Sequence, residues 1–197
     1  MFDTHCHLNF KAFDDTVDAV VINAQRVGVT HITIPGTDAV SSKKAIAIAQ
    51  QYAHMYAAVG IHPHHVYEVL QSKTIDITNA VSAIETMLTE DKVVAIGEIG
   101  IDRHMYQKTK YGEYEVNEAF VKLQKEFFVA QLQLAILYKK SVIIHNREAK
   151  QDLLPLLYEH WDSFFETRMV LHCCEPDKQL LPFVKEKNIF WGVDGDV

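Results

Sequence analysis

A (β/α)₈ barrel of the TIM type, present here as strands one to seven, is the fold class that this 197-residue sequence predicts. Three observations carry that reading. Strand-like apolar runs alternate with helix-period stretches from end to end, without a composition break, linker or low-complexity tract; this implies a parallel sheet in one domain spanning residues 1–197. Five of the seven strands end in histidine or glutamate, and in a barrel those carboxyl ends converge on one mouth. A doubly wound open sheet competes, but the sequence holds neither a G-x-G-x-x-G nor a Walker A motif to support it.

The first strand is Phe2-Asp3-Thr4-His5-Cys6-His7. Alternation along it sends Asp3, His5 and His7 to one face, where two imidazoles at i and i+2 can share one metal ion. A buried strand with merely hydrogen-bonded histidines is the competing reading. Residues 14 to 27 place Val17, Val20, Val21, Ala24 and Val27 at helical spacing, with Gly28 as the stop. His31 to Pro35 is strand two, and Ser41 opens a helix carrying Ala45, Ile48 and Ala49. Tyr56 to Ile61 is strand three, with His62-Pro63-His64-His65 directly behind it, and a third helix runs from about Asp76 to Leu88.

Val93 to Gly97 is strand four, with Glu98 at its end. Residues 103 to 118 form a long polar loop of the kind that carries function. The longest helix follows, with Phe120, Leu123, Phe127, Ala130, Leu134 and Leu137 three and four apart. Ser141 to Ile144 precedes His145, a helix covers about Glu148 to Tyr158, and Met169 to Leu171 precedes His172. Residues 177 to 187 form a shorter helix that Pro182 is expected to kink. Ile189 to Val193 is strand seven, and no eighth βα unit is found.

Composition narrows the partners. Hydrophobic residues at 48% and charged residues at 23% are ordinary for a soluble domain, and a net charge of −7 excludes a generally basic nucleic-acid clamp. Eleven histidines is a high count for this length. Cys6, Cys173 and Cys174 form neither a C-x-x-C pair nor a disulfide framework, so they read as packing residues of a reducing compartment. No apolar run reaches the roughly 18 residues of a membrane span, and the expected setting is the cytoplasm.

His5, His7, Glu98, His145 and His172 therefore gather at one mouth, with His62 beside them. Four histidines and a carboxylate exceed a closed tetrahedral site but suit two divalent ions. Glu98, central in strand order, is the natural bridge and catalytic carboxylate; His5 and His7 would take one ion, His145 and His172 the other. Nitrogen-rich ligands favour zinc, manganese, cobalt or nickel over magnesium.

The blocks Asp3-Thr4-His5-Cys6-His7-Leu8, Val59-Gly60-Ile61-His62-Pro63-His64, Ala95 to Asp102, Val142 to Ala149 and Val170-Leu171-His172-Cys173 resemble, in order and over the whole chain, the TatD family of metal-dependent deoxyribonucleases. The resemblance implies a TIM barrel of the amidohydrolase superfamily that hydrolyses DNA phosphodiesters, commonly as an exonuclease on single strands or 3′ ends. It implies His5, His7, Glu98, His145 and His172 as metal ligands, with His62, His64 and Arg147 facing the substrate phosphate. It also implies two ions, Mg2+ or Mn2+ in function, with Zn2+ or Ni2+ able to occupy the same sites in a crystal. Asp3 is expected behind the ligands, and Arg103, Lys108 and Lys110 either touch a nucleic-acid backbone or form a solvated basic loop.

The sequence departs from that family at its end, where no residue matches the aspartate that the eighth strand supplies as ligand and general base. Two expectations follow: a separate C-terminal fragment or self-association completes the barrel, and Asp194 or Asp196 can stand in only as a secondary choice beside turn formation. Competing functions are an amidohydrolase acting on amides, lactones or phosphotriesters, in which a strand-four lysine often replaces the glutamate, and an inactive metal-binding fragment.

Overall fold

A computed structural model describes residues 1–72, 76–111, 114–172 and 177–193. Seven strands form one parallel sheet in sequential order: β1 (Phe2–Asp3), β2 (His31–Pro35), β3 (Met55–Val59), β4 (Val93–Asp102), β5 (Ser141–Arg147), β6 (Met169–Leu171) and β7 (Phe190–Trp191). Each strand pairs with the next in the chain, the order of a barrel wall, and β1 and β7 are its outer members among the described residues.

Helices α1 (Val17–Arg26), α2 (Ala39–Ala49), α3 (Val66–Leu70), α4 (Ile77–Glu85), α5 (Glu118–Leu137), α6 (Lys150–Glu159) and α7 (Leu180–Glu186) make the crossovers.

 Pro155 lies inside α6. Side-chain caps start the helices where the sequence offers them. Asp38 accepts the Ser41 N–H at 2.7 Å in a capping box, so α2 begins two residues before Ser41; Asp76 and Asn117 cap α4 and α5 in the same way.

Strand alternation splits the apolar residues between two faces. On β5, Val142 and Ile144 join the large cluster under the helices, while Ile143 joins Ala58 and Ala95 in a small inner layer. The long helix α5 contributes Phe120, Phe127, Phe128 and Leu132 to the large cluster, all of them buried. Two fully enclosed glutamines on the same helix do something apolar residues cannot. Gln131 accepts the Ile61 N–H at 2.7 Å and donates to the Ile61 carbonyl at 3.2 Å; Gln124 does the same for Asp102 at 2.8 and 3.0 Å. These clamps satisfy backbone groups just before His62 and at the end of β4, where no neighbouring strand does so.

Four expectations are corrected. β1 ends at Asp3 rather than continuing to His7, because the Asp3 carboxylate accepts the His5 N–H at 3.0 Å and turns the chain. β4 runs on to Asp102 instead of ending at Gly97, so Glu98 lies within the strand; a register shift between Ile96 and Ile99 accompanies this. β5 likewise extends through His145 to Arg147. Pro182 is the third residue of α7, in the first turn, where the backbone N–H has no helical partner to lose, so no kink is needed. Cys173, Cys174, Asp194 and Asp196 lie outside the described residues. Cys6 is half-buried against the core, as a packing residue should be, and burial pushes its thiol up to about 11.

Candidate metal centre

The mouth of the sheet is built by short backbone tethers that deliver each side chain. The Cys6 N–H donates to the Thr33 carbonyl at 3.1 Å, which keeps His5 and His7 beside β2 after β1 has ended. The His62 N–H donates to Thr37, the Glu98 N–H to Gly36 at 2.9 Å and the His172 N–H to Ile144 at 3.0 Å. His145 needs no tether, since it pairs with Gly100 inside the β4–β5 ladder.

Glu98 is the centre of the result. It is 3% exposed, and its two oxygens face different histidines. Oε2 is 3.3 Å from both His5 Nε2 and His7 Nε2, which are themselves 3.1 Å apart. Oε1 is 2.8 Å from His145 Nδ1 and is hydrogen-bonded to His172 Nε2; those two nitrogens are 3.3 Å apart. The division matches the pairing expected from strand order. The His5 and His172 rings stack at 3.8 Å and bring the two halves together.

The ring partners decide which nitrogen is free. His7 Nδ1 donates to the Pro35 carbonyl at 3.2 Å, leaving its Nε2 lone pair toward Glu98. His145 Nε2 donates to Asp102 Oδ2 at 3.1 Å and turns Nδ1 inward. His62 is the opposite case. Its Nδ1 accepts the His64 N–H at 3.0 Å, so the proton sits on Nε2, 3.5 Å from Glu98 Oε1, and that nitrogen is a donor rather than a ligand.

Charge follows the same arrangement. Burial works to raise the Glu98 carboxyl, but the His62, His172 and His145 imidazoles outweigh it and hold it well below its ordinary value. Burial lowers His62 to about 4, with His145 adding to the effect. Burial also opposes charge on His145, yet its bonds to Asp102 and Glu98 raise it to about 9. His5, Glu98 and His172 place three donors within 4.8 Å of one another, and so do His62, Asp102 and His145. Imidazole nitrogens converging on an ionised carboxylate, with the His7 and His145 rings held from behind by Pro35 and Asp102, fit a divalent cation that displaces the shared protons.

Two residues of the candidate set sit farther out. Arg147 is exposed at the rim, its Nη1 donating to the Tyr106 hydroxyl at 3.2 Å with the guanidinium 5.3 Å from that ring. His64 packs against Tyr106, Tyr111 and Tyr114, and its contact with His62 is through the backbone N–H. Asp3 turns the chain behind His5, in keeping with a supporting role. In the long loop, Arg103 is held internally by Asp152 and Glu118, Lys110 pairs with Glu68, and Lys108 is exposed. Sequence reasoning missed Asp102, which is fully buried in the site. Its signal was present: Glu98 and Asp102 are four apart and share a strand face once β4 reaches residue 102.

A TIM-barrel wall with such a cluster at its carboxyl mouth defines a metal-dependent hydrolase. The chain belongs to the TatD related DNase family, which it matches over residues 2–197. It is 30% identical over 198 residues to the uncharacterized metal-dependent hydrolase YabD of Bacillus subtilis, covering 100% of this chain and 69% of that protein. It is 28% identical over 195 residues to the 3′-5′ ssDNA/RNA exonuclease TatD of Salmonella typhimurium, covering 99% and 67%. Its fold superposes on the crystal structure of YjjV, a TatD homologue of Escherichia coli, with a TM-score of 0.79 and 28% identity, over 100% of this chain and 68% of that one. The chain thus spans about two thirds of the length of these relatives. Among the described residues no helix is long and apolar enough to cross a membrane.

Proposed function

We propose that this chain hydrolyses phosphodiester bonds of single-stranded nucleic acid, DNA foremost and from 3′ ends, using two divalent metal ions held by His5, His7, Glu98, His145 and His172. The observation that carries the reading is the division of the Glu98 carboxylate, one oxygen toward His5 and His7 and the other toward His145 and His172. Mg2+ or Mn2+ is proposed for function, although the nitrogen-rich donor set also accepts Zn2+ or Ni2+. When bound, such ions lower the pKa of water and offset the charge of a phosphoryl centre.

The chain's own groups do the rest. His5 and His7 turn Nε2 toward Glu98, and His145 turns Nδ1 toward it and would give up the proton there to hold an ion. Glu98 stays ionised and gives each pair one oxygen. His62 stays neutral above about pH 4 and keeps its Nε2 proton, so it can donate to a non-bridging phosphate oxygen without moving charge. Arg147, exposed at the rim, offers a planar fork to a neighbouring phosphate. His64 fixes the His62 tautomer through its backbone and lines the approach with the three tyrosines. The relatives named as ssDNA/RNA exonucleases support the substrate class. We place the activity in the cytoplasm and in a single domain.

Incubating the chain with a 5′-labelled single-stranded oligonucleotide and Mn2+ or Mg2+ tests this. Shortening from the 3′ end that EDTA stops is the expected result. An oligonucleotide left intact by a chain shown to bind both ions would overturn it.

A further inference from the structure

Asp102 is not among the proposed metal ligands, yet it is fully buried beside them and its carboxylate accepts three hydrogen bonds. Its Oδ2 accepts the His145 Nε2–H at 3.1 Å and the Tyr106 hydroxyl at 2.8 Å; its Oδ1 accepts the His104 N–H at 2.8 Å. The Tyr106 hydroxyl in turn accepts from Arg147 Nη1 at 3.2 Å. Asp102 and Arg147 are cross-strand partners on β4 and β5, and the Arg103 N–H donates to the Arg147 carbonyl at 2.9 Å. Gln124 clamps the Asp102 backbone on both sides. One carboxylate oxygen therefore touches a histidine of the metal centre and, through one phenol, the arginine at the rim.

We propose that Asp102 is a positioning residue that acts in two directions: it orients His145 so that Nδ1 faces the metal centre, and through Tyr106 it fixes Arg147 where the substrate phosphate arrives. This rests on the proposed metal-dependent phosphodiesterase function. The His145 arm follows from the ring itself, since a donor bond from Nε2 to a carboxylate leaves Nδ1 as the coordinating atom. The Tyr106 arm follows from the hydroxyl, which donates to Asp102 and therefore presents its lone pairs to Arg147. Burial and the Asp102 carboxylate push the phenol up to about 12, so it keeps that proton through the neutral range.

The two arms separate by experiment on the full chain. Mn2+ binding is measured calorimetrically for the parent, D102N and Y106F, with circular dichroism confirming the fold. D102N is expected to bind one of its two Mn2+ ions about 10- to 100-fold more weakly. Y106F is expected to keep the parent isotherm but to raise KM for a single-stranded oligonucleotide about 3- to 10-fold, with kcat changed less than KM. A folded D102N with the parent isotherm overturns the first arm, and Y106F with the parent KM overturns the second. If D102N does not fold, nitrogen-15 NMR of the Zn2+-loaded parent decides: His145 coordinating through Nδ1 with its proton on Nε2 supports the orientation, and coordination through Nε2 overturns it. Mn2+ binding is read without substrate. A parent chain that binds Mn2+ but cleaves nothing would sink the proposed function, while the D102N isotherm would still decide whether Asp102 positions His145.

Discussion

Replacing Gly100 with Ala should damage stability and the metal centre together. Gly100 pairs with His145 across the β4–β5 ladder at φ +153, and a Cβ there would lie 1.9 Å from the His145 carbonyl oxygen, 2.8 Å from its carbon and 3.0 Å from its nitrogen. Those are backbone atoms, so no rotamer can relieve the contact. The gap is roughly 1.5 Å or more short of an ordinary van der Waals separation, and β4 or β5 must move by that order. Overpacking of this kind costs about 1–3 kcal/mol, and the positive φ adds about 1–3 kcal/mol for a residue with a side chain. The total, about 2–6 kcal/mol, corresponds to a melting-point drop of roughly 5–20 °C for a chain of this size. Gly28→Ala is the control: its φ is +86, but nothing lies within 4 Å of the added carbon, so it isolates the backbone cost. Urea unfolding in EDTA gives the stability difference, and Mn2+ calorimetry should show weakened binding in G100A alone, because His145 sits opposite and Glu98 two residues away. G100A no less stable than G28A would refute the close β4–β5 approach on which the site geometry rests.

Gln131→Leu should cost about 2–6 kcal/mol in urea unfolding, since it strands the buried Ile61 N–H and carbonyl at about 1–3 kcal/mol each; a loss under about 0.5 kcal/mol would count against the clamp. Mn2+ binding near pH 7.5 should release close to one proton, because His145, raised to about 9, must give up its Nδ1 proton to coordinate. Calorimetry in buffers of different ionisation enthalpy measures that proton, and a value near zero would contradict the assignment. The same shift has a sign for the metal-free fold. A histidine raised from about 6.5 to about 9 contributes stability that is fully present below pH 6.5 and is lost as pH rises to 9, so urea midpoints in EDTA should fall across that window. Arg147→Lys keeps the charge but loses the fork, so oligonucleotide turnover should weaken while Mn2+ stoichiometry stays the same; loss of metal would place Arg147 in the wrong role.

Much of this fold was legible in the sequence because strand and helix periods alternate cleanly. The strand His31–Pro35 falls where its apolar run places it, and α5 buries Phe120, Leu123 and Phe127 of its apolar row, with Ala130 and Leu134 partly buried and the last member, Leu137, exposed. The ligand-type residues were legible because they follow apolar runs, and the structure brings the four histidines of the predicted metal set around Glu98. What the sequence hid was long-range. An apolar run shows where a strand becomes polar, not where its ladder ends, so the sequence alone ends β4 at Gly97 and leaves Asp102 outside the site, whereas the ladder runs to Asp102. The Asp3 turn that ends β1 depends on one side chain folding back on His5, which alternation cannot reveal. Gln124 and Gln131 look like ordinary polar positions of a helix until the strand ends they satisfy come into contact with α5.

The central claim is that Glu98 bridges two metal ions, and crystals of the full chain grown with Mn2+ test it directly by anomalous scattering. Two peaks are predicted, one beside Glu98 Oε2 with the Nε2 atoms of His5 and His7, the other beside Oε1 with His145 Nδ1 and His172 Nε2. Two ions that leave the Glu98 carboxylate uncoordinated, or no ion at these histidines, would contradict it.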